Sequence, residues 1–139
     1  MDPIRTLIAD DYVFFARTLK AHLEETGLAQ VVGVAKSGME AVSLAGRCRA
    51  ELVITKIRLP GMDGMETSRR IRENRPHMKI ILYTDDAPEI YAARSDFCAH
   101  ACVLQDRLFD ELPDLIQGLG FQGRPHGGRM PITTTEERR

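Results

Sequence analysis

The stretch LVITKIRLPGMDG, Leu52 to Gly64, passes from an apolar run into a proline-glycine turn. Leu52 to Thr55 are aliphatic or β-branched with no in/out alternation, which is the pattern of a strand covered on both faces. Lys56 stands where strand gives way to loop. A cation at the carboxyl end of a buried strand is costly unless something anionic meets it.

Runs of the same kind recur on either side: TLIA (6–9), VVGVA (31–35), IILYT (80–84) and ACVL (101–104). Between them apolar residues fall at helical spacing: Ala16, Leu19 and Leu23; Ala41, Val42 and Ala45; Leu108, Leu112, Leu115 and Leu119. Helix starts are marked by Ser37-x-x-Glu40, Asp63-x-x-Glu66 and Asp86-x-x-Glu89, each a capping oxygen three residues before a carboxylate that can reach back. Pro88 falls just inside the third of these, where a missing N–H costs nothing, and Asp106 is the expected cap of the last helix. Strand followed by helix, repeated about five times, predicts a parallel sheet wound on both faces.

Composition narrows the function classes. The 139 residues fit one domain with a real core, and a formal charge of −1 leaves no footprint for non-specific binding of nucleic acid or anionic membrane. The N-terminal MDPIRTLIADD lacks the basic and apolar regions of a signal peptide, and no run is long enough to span a bilayer. Cys48, Cys98 and Cys102 are an odd number with no paired framework, so reduced thiols in a cytoplasm are expected. Cys98-x-His100-x-Cys102 offers ligand types on one strand face, but without an evident fourth ligand they read as core residues, and no metal or cofactor is expected. Beyond Leu119 the chain turns rich in Gly, Pro and Arg, so 1–119 is read as the domain and 120–139 as a linker or tail.

In an open parallel sheet, chemistry collects beyond the carboxyl ends of the strands. Those ends carry Asp10 and Asp11, Lys56, Thr84 and Asp85, and Gln105. An acid pair after a strand is commonly a helix cap, a role open to Asp11. Two acids with a hydroxyl and a lysine on neighbouring ends are more specific than a cap.

LIADD, LVITKIRLPGMDG, ILYTDD and CVLQD, in this order and spacing, resemble the response-regulator receiver family of two-component signalling over residues 4 to 119. VVGVAKSGMEAVSLA looks most like receivers that precede a helix-turn-helix DNA-binding domain, the NarL/FixJ type. The resemblance implies a flavodoxin-like five-stranded sheet in the order 2-1-3-4-5 between two helical layers. It also implies an acid pair holding Mg²⁺, an aspartate ending the third strand that accepts phosphate from a histidine kinase, and a Thr and a Lys that contact the phosphoryl group. Asp10, Asp11 and Thr84 match their positions. Lys56 stands at the place of the phosphoacceptor, Gln105 at that of the lysine, Asp85 at that of a small residue and Cys102 at that of the switching aromatic.

An ammonium group has no lone pair with which to form an acyl phosphate, and a cation beside two carboxylates removes a Mg²⁺ ligand. The expectation is a non-enzymatic, degenerate receiver in which Lys56 is salt-bridged into a cluster of Asp10, Asp11 and Asp85 as a built-in substitute for the metal. Its contacts would be a homodimer or a protein partner, with output through a DNA-binding domain outside this chain and no direct nucleic-acid or membrane binding. A conventional phosphorelay receiver with its acceptor replaced by engineering is the alternative, weakened by the further departures at Gln105 and Asp85. A ligand or metal sensor using the altered pocket is the third.

Overall fold

The structure, a computed structural model, describes residues 3–121. Strand and helix alternate: β1 (Ile4–Ala9), α1 (Val13–Glu25), β2 (Ala29–Ala35), α2 (Gly38–Arg47), β3 (Leu52–Lys56), α3 (Gly64–Asn74), β4 (Lys79–Thr84), α4 (Pro88–Ala92), β5 (Ala101–Leu104) and α5 (Leu108–Gly118). The sheet is parallel throughout, in the order β2-β1-β3-β4-β5, as expected. Register places Ala9 beside Thr55, Lys56 beside Tyr83, and Thr84 beside Leu104, so the carboxyl ends of β1, β3 and β4 lie together. Between β1 and β2 the register slips once: Thr6 pairs with Val31 but Leu7 with Gly33, leaving Val32 as an extra residue.

Strand alternation splits the core in two. Ile8, Ile54, Ile81 and Tyr83 face Leu19 and Leu23 of α1 and Leu108, Leu112 and Ile116 of α5. Leu7, Val53, Ile80 and Leu82 face Ala41 and Ala45 of α2 and Met65 and Ile71 of α3. Each fully buried aliphatic side chain contributes roughly 1.5–3 kcal/mol relative to exposure, so both faces hold the sheet. Gly64 lets α3 start hard against the end of β3: a Cβ there would meet the Lys56 carbonyl oxygen and lie 2.8 Å from Ile57 Cα.

Two of the helix starts carry the expected side-chain cap. The Ser37 hydroxyl accepts from Glu40 N–H at 3.1 Å, while the Glu40 carboxylate reaches back to Lys36 N–H at 2.8 Å. Asp63 accepts from Glu66 N–H at 2.9 Å, but the Glu66 carboxylate turns to Arg69 and Arg70 instead of reaching back.

The other three caps are corrected. α4 starts after Ala87 with no side-chain cap, because Asp86 is engaged elsewhere, although Pro88 does occupy its first turn. Asp106 sits inside a 3₁₀ turn, Gln105–Arg107, and α5 starts after Arg107 without a side-chain cap. Asp11 does not cap α1; Asp10 instead accepts from Tyr12 N–H at 2.8 Å. The expected linker or tail lies, beyond residue 121, outside the described residues. Among the described residues no helix is long and apolar enough to cross a membrane.

Candidate functional site

Lys56, last residue of β3, directs its Nζ between the two acids that follow β1. It lies 3.6 Å from Asp10 Oδ1 and 3.4 Å from Asp11 Oδ1. Asp10 is 1% exposed and spends its remaining capacity inward: Oδ1 also takes the Tyr12 N–H, and Oδ2 takes the Tyr83 hydroxyl at 2.5 Å. Burial, then the Asp10 charge and its hydrogen bond, hold the Tyr83 phenol well above its ordinary value, so Tyr83 is a donor at any physiological pH. Sequence reading missed this residue. Its signal was a hydroxyl in the middle of a buried run, which needs a partner.

Asp85 does not join this cluster. It is largely exposed, and its carboxylate lies 3.9 Å from the Arg58 guanidinium. Thr84 is buried at the end of β4, but its hydroxyl donates to Asp86 Oδ1 at 2.6 Å. Asp86 Oδ2 accepts from Arg58 at 2.5 Å and from the Tyr91 hydroxyl at 3.3 Å. The Thr84 bond first, and Arg58 second, hold the Asp86 carboxyl well below the usual carboxylate range. Six residues therefore divide into two constellations: Lys56 with Asp10 and Asp11, and Arg58 with Asp85 and Asp86. Two positively charged side chains two residues apart, one ending β3 and the other on the connection to α3, each gather a pair of consecutive acids.

Gln105 opens the 3₁₀ turn after β5, partly buried and without a side-chain hydrogen bond among the described residues. Cys102 is partly buried against the Leu82 side of the sheet, and burial pushes its thiol up to about 11, with the charges of Asp86 and Glu89 adding. His100 accepts the Ile80 N–H on Nδ1 at 3.1 Å, and burial, then Arg72 and Lys79, lower its basicity. Cys98 precedes β5, and its carbonyl accepts from Arg72 at 3.0 Å. Among the described residues no group of three or more His, Cys, Asp and Glu is placed to hold a metal ion. The acid pair does not suit a divalent cation: an ammonium group already sits within 3.6 Å of both carboxylates, adding repulsion where an oxygen ligand is required.

Residues 6–104 match the response regulator receiver domain model. The chain belongs to that family. This receiver is 38% identical over 114 residues to the protein-glutamate methylesterase/protein-glutamine glutaminase 4 of Myxococcus xanthus, covering 81% of this chain and 32% of that protein. It is 27% identical over 93 residues to the response regulator protein VraR of Staphylococcus saprophyticus, covering 66% of this chain and 44% of VraR. The chain thus spans less than half the length of either relative. Its fold superposes on the signal receiver domain of NarL from Mycobacterium tuberculosis with a TM-score of 0.75 and 24% identity, over 85% of this chain and 99% of that domain.

Proposed function

We propose that this receiver acts without phosphorylation, as a protein-interaction or dimerisation module of a cytoplasmic response regulator. The observation that carries the reading is the ammonium group of Lys56 held between Asp10 and Asp11 at 3.6 and 3.4 Å. Phosphoryl transfer to a receiver needs a carboxylate at the end of β3, and the metal that assists it needs hard oxygen ligands. An ammonium group there supplies neither, and it offsets one of the acid pair's two charges from within the chain. Gln105 brings no cation to neutralise phosphoryl oxygens, and Cys102 brings no ring to report their arrival.

Transcriptional regulation is the proposed output, exerted through a DNA-binding domain or a protein partner outside the described residues. The relative named as a methylesterase makes an enzymatic output domain the competing case. A longer open reading frame encoding one or the other would decide between them.

The test is incubation with isotopically labelled acetyl phosphate. The wild type should incorporate no base-labile label. Lys56→Asp should incorporate little, and Lys56→Asp with Gln105→Lys clearly more, since the second change returns the cation. Asp85 is left unchanged, because it points to Arg58 and away from Lys56. Label in the wild type comparable to that in the double variant would overturn the proposal.

A further inference from the structure

We infer that Arg58 and Asp86 form a clasp that sets the position of α4, making the β4–α4 segment a conformational element governed by charge. This goes beyond the proposed function and does not depend on whether the receiver takes phosphate.

α4 packs along β5 but is lightly anchored there. It is five residues long, none of them buried, and it starts without a side-chain cap. A helix of that length does not persist on its own propensity. Tyr91 packs against the Leu82 side of the core only partly, and Ile90 is left 63% exposed. What ties the segment to the neighbouring elements by polar contact is one carboxylate with side-chain donors on three separate elements. Thr84, 1% exposed, ends a central strand and is the rigid member. Arg58 belongs to the β3–α3 connection, which is itself anchored by Ile57 N–H to the Tyr83 carbonyl at 2.9 Å and by Gly64 N–H to the Ile57 carbonyl at 2.7 Å. Tyr91 belongs to α4.

An exposed ion pair alone contributes little, and the Arg58 side chain is 61% exposed. The difference here is that the carboxylate is also bonded to a buried hydroxyl, so its position is fixed before the guanidinium arrives. Charge-assisted bonds to such a pre-placed acceptor are the stronger kind. Asp85, 3.9 Å from the same guanidinium, adds attraction without competing for Thr84. The consequence is that α4 is presented in one arrangement while the clasp is closed and is released when it opens, with β4 unaffected. Salt, or an anion that competes for Arg58, is the agent able to open it.

The experiment is amide hydrogen exchange by mass spectrometry on the full chain. Arg58→Gln and Asp86→Asn should each speed exchange within residues 86–94 by about five- to tenfold, the size expected from losing one ordinary hydrogen bond, since exposure of Arg58 offsets the gain from charge. Exchange in β1, β3 and β4 should not change. Arg58→Lys should restore part of the protection, and Arg94→Gln, which breaks the neighbouring exposed pair with Asp96, should have no such effect. In the wild type, about 1 M NaCl should speed the same amides, and in Asp86→Asn that salt effect should vanish. Unchanged exchange in 86–94, acceleration spread evenly over the domain, or an equal effect of Arg94→Gln would each refute the clasp.

Discussion

Replacing Lys56 with Asp should create a site at which a divalent cation stabilises the fold. At 3.6 and 3.4 Å, an effective dielectric of 20 gives about 5 kcal/mol of gross attraction between the ammonium group and each carboxylate. Desolvation takes back most of it, and the Asp11 side chain is 44% exposed, so half of the pair is screened by water. Breaking a fully buried pair costs roughly 3–5 kcal/mol, and partial exposure here reduces the expected cost of Lys56→Met to about 2 kcal/mol. With a urea slope of about 1.5 kcal/mol/M, the unfolding midpoint should fall by roughly 1.3 M. Lys56→Asp should fall at least as far, since three carboxylates then face one another. In that variant about 10 mM Mg²⁺, bound with a millimolar constant, should return about 1.4 kcal/mol, or nearly 1 M in midpoint. The wild-type midpoint should not move with Mg²⁺. A wild type stabilised by the ion as strongly as Lys56→Asp would rule out the ammonium as a stand-in for the metal, as would a Lys56→Met midpoint equal to that of the wild type.

Tyr83→Phe removes the donor from buried Asp10 Oδ2 and should cost about 1–3 kcal/mol in urea unfolding, with no change in fold by circular dichroism. Gly64→Ala should cost about 1–3 kcal/mol, because its Cβ meets main chain at the end of β3; thermal denaturation checks this. Cys102, with its thiol pushed up to about 11, should react with iodoacetamide at pH 8 about a hundredfold more slowly than an unperturbed thiol, read by mass spectrometry. Hydrogen bonds from Arg69 and then Arg70 lower the Glu66 carboxyl to about 2. Its folded value lies below its unfolded one, so its contribution to stability is complete above the unfolded range near ~4.3 and is lost as pH falls toward 2. Glu66→Gln should therefore flatten the acid limb of the stability curve, and a parallel curve would count against the pairing.

The strand order and the placing of Lys56 against Asp10 and Asp11 were legible because strand period and strand ends are local features that topology then assembles. Ser37 and Asp63 read correctly as caps for the same reason. What escaped was choice among partners. Asp86 has the spacing of a cap, yet its carboxylate is engaged by a buried hydroxyl and by a guanidinium from the β3–α3 connection. Asp85 lay beside Thr84 in sequence and so was assigned to the Lys56 cluster. It points instead to Arg58, whose interest in acids nothing local announced. Tyr83 looked like one more buried residue of IILYT, and only the register that sets it beside Lys56 shows why its hydroxyl reaches Asp10.

The slip in register at Val32 bears on how such a domain behaves in company. β2 is one rim of the sheet, and its unpaired main-chain groups are a template on which another chain's strand could zip. The extra residue bends that rim and breaks its run of evenly spaced donors and acceptors. The opposite rim, β5, is four residues long and offers an added strand few main-chain partners. With both rims blunted, growth by strand addition is disfavoured. Any assembly that this domain enters is left to helices and loops, where side-chain identity, and so selectivity, decides who binds.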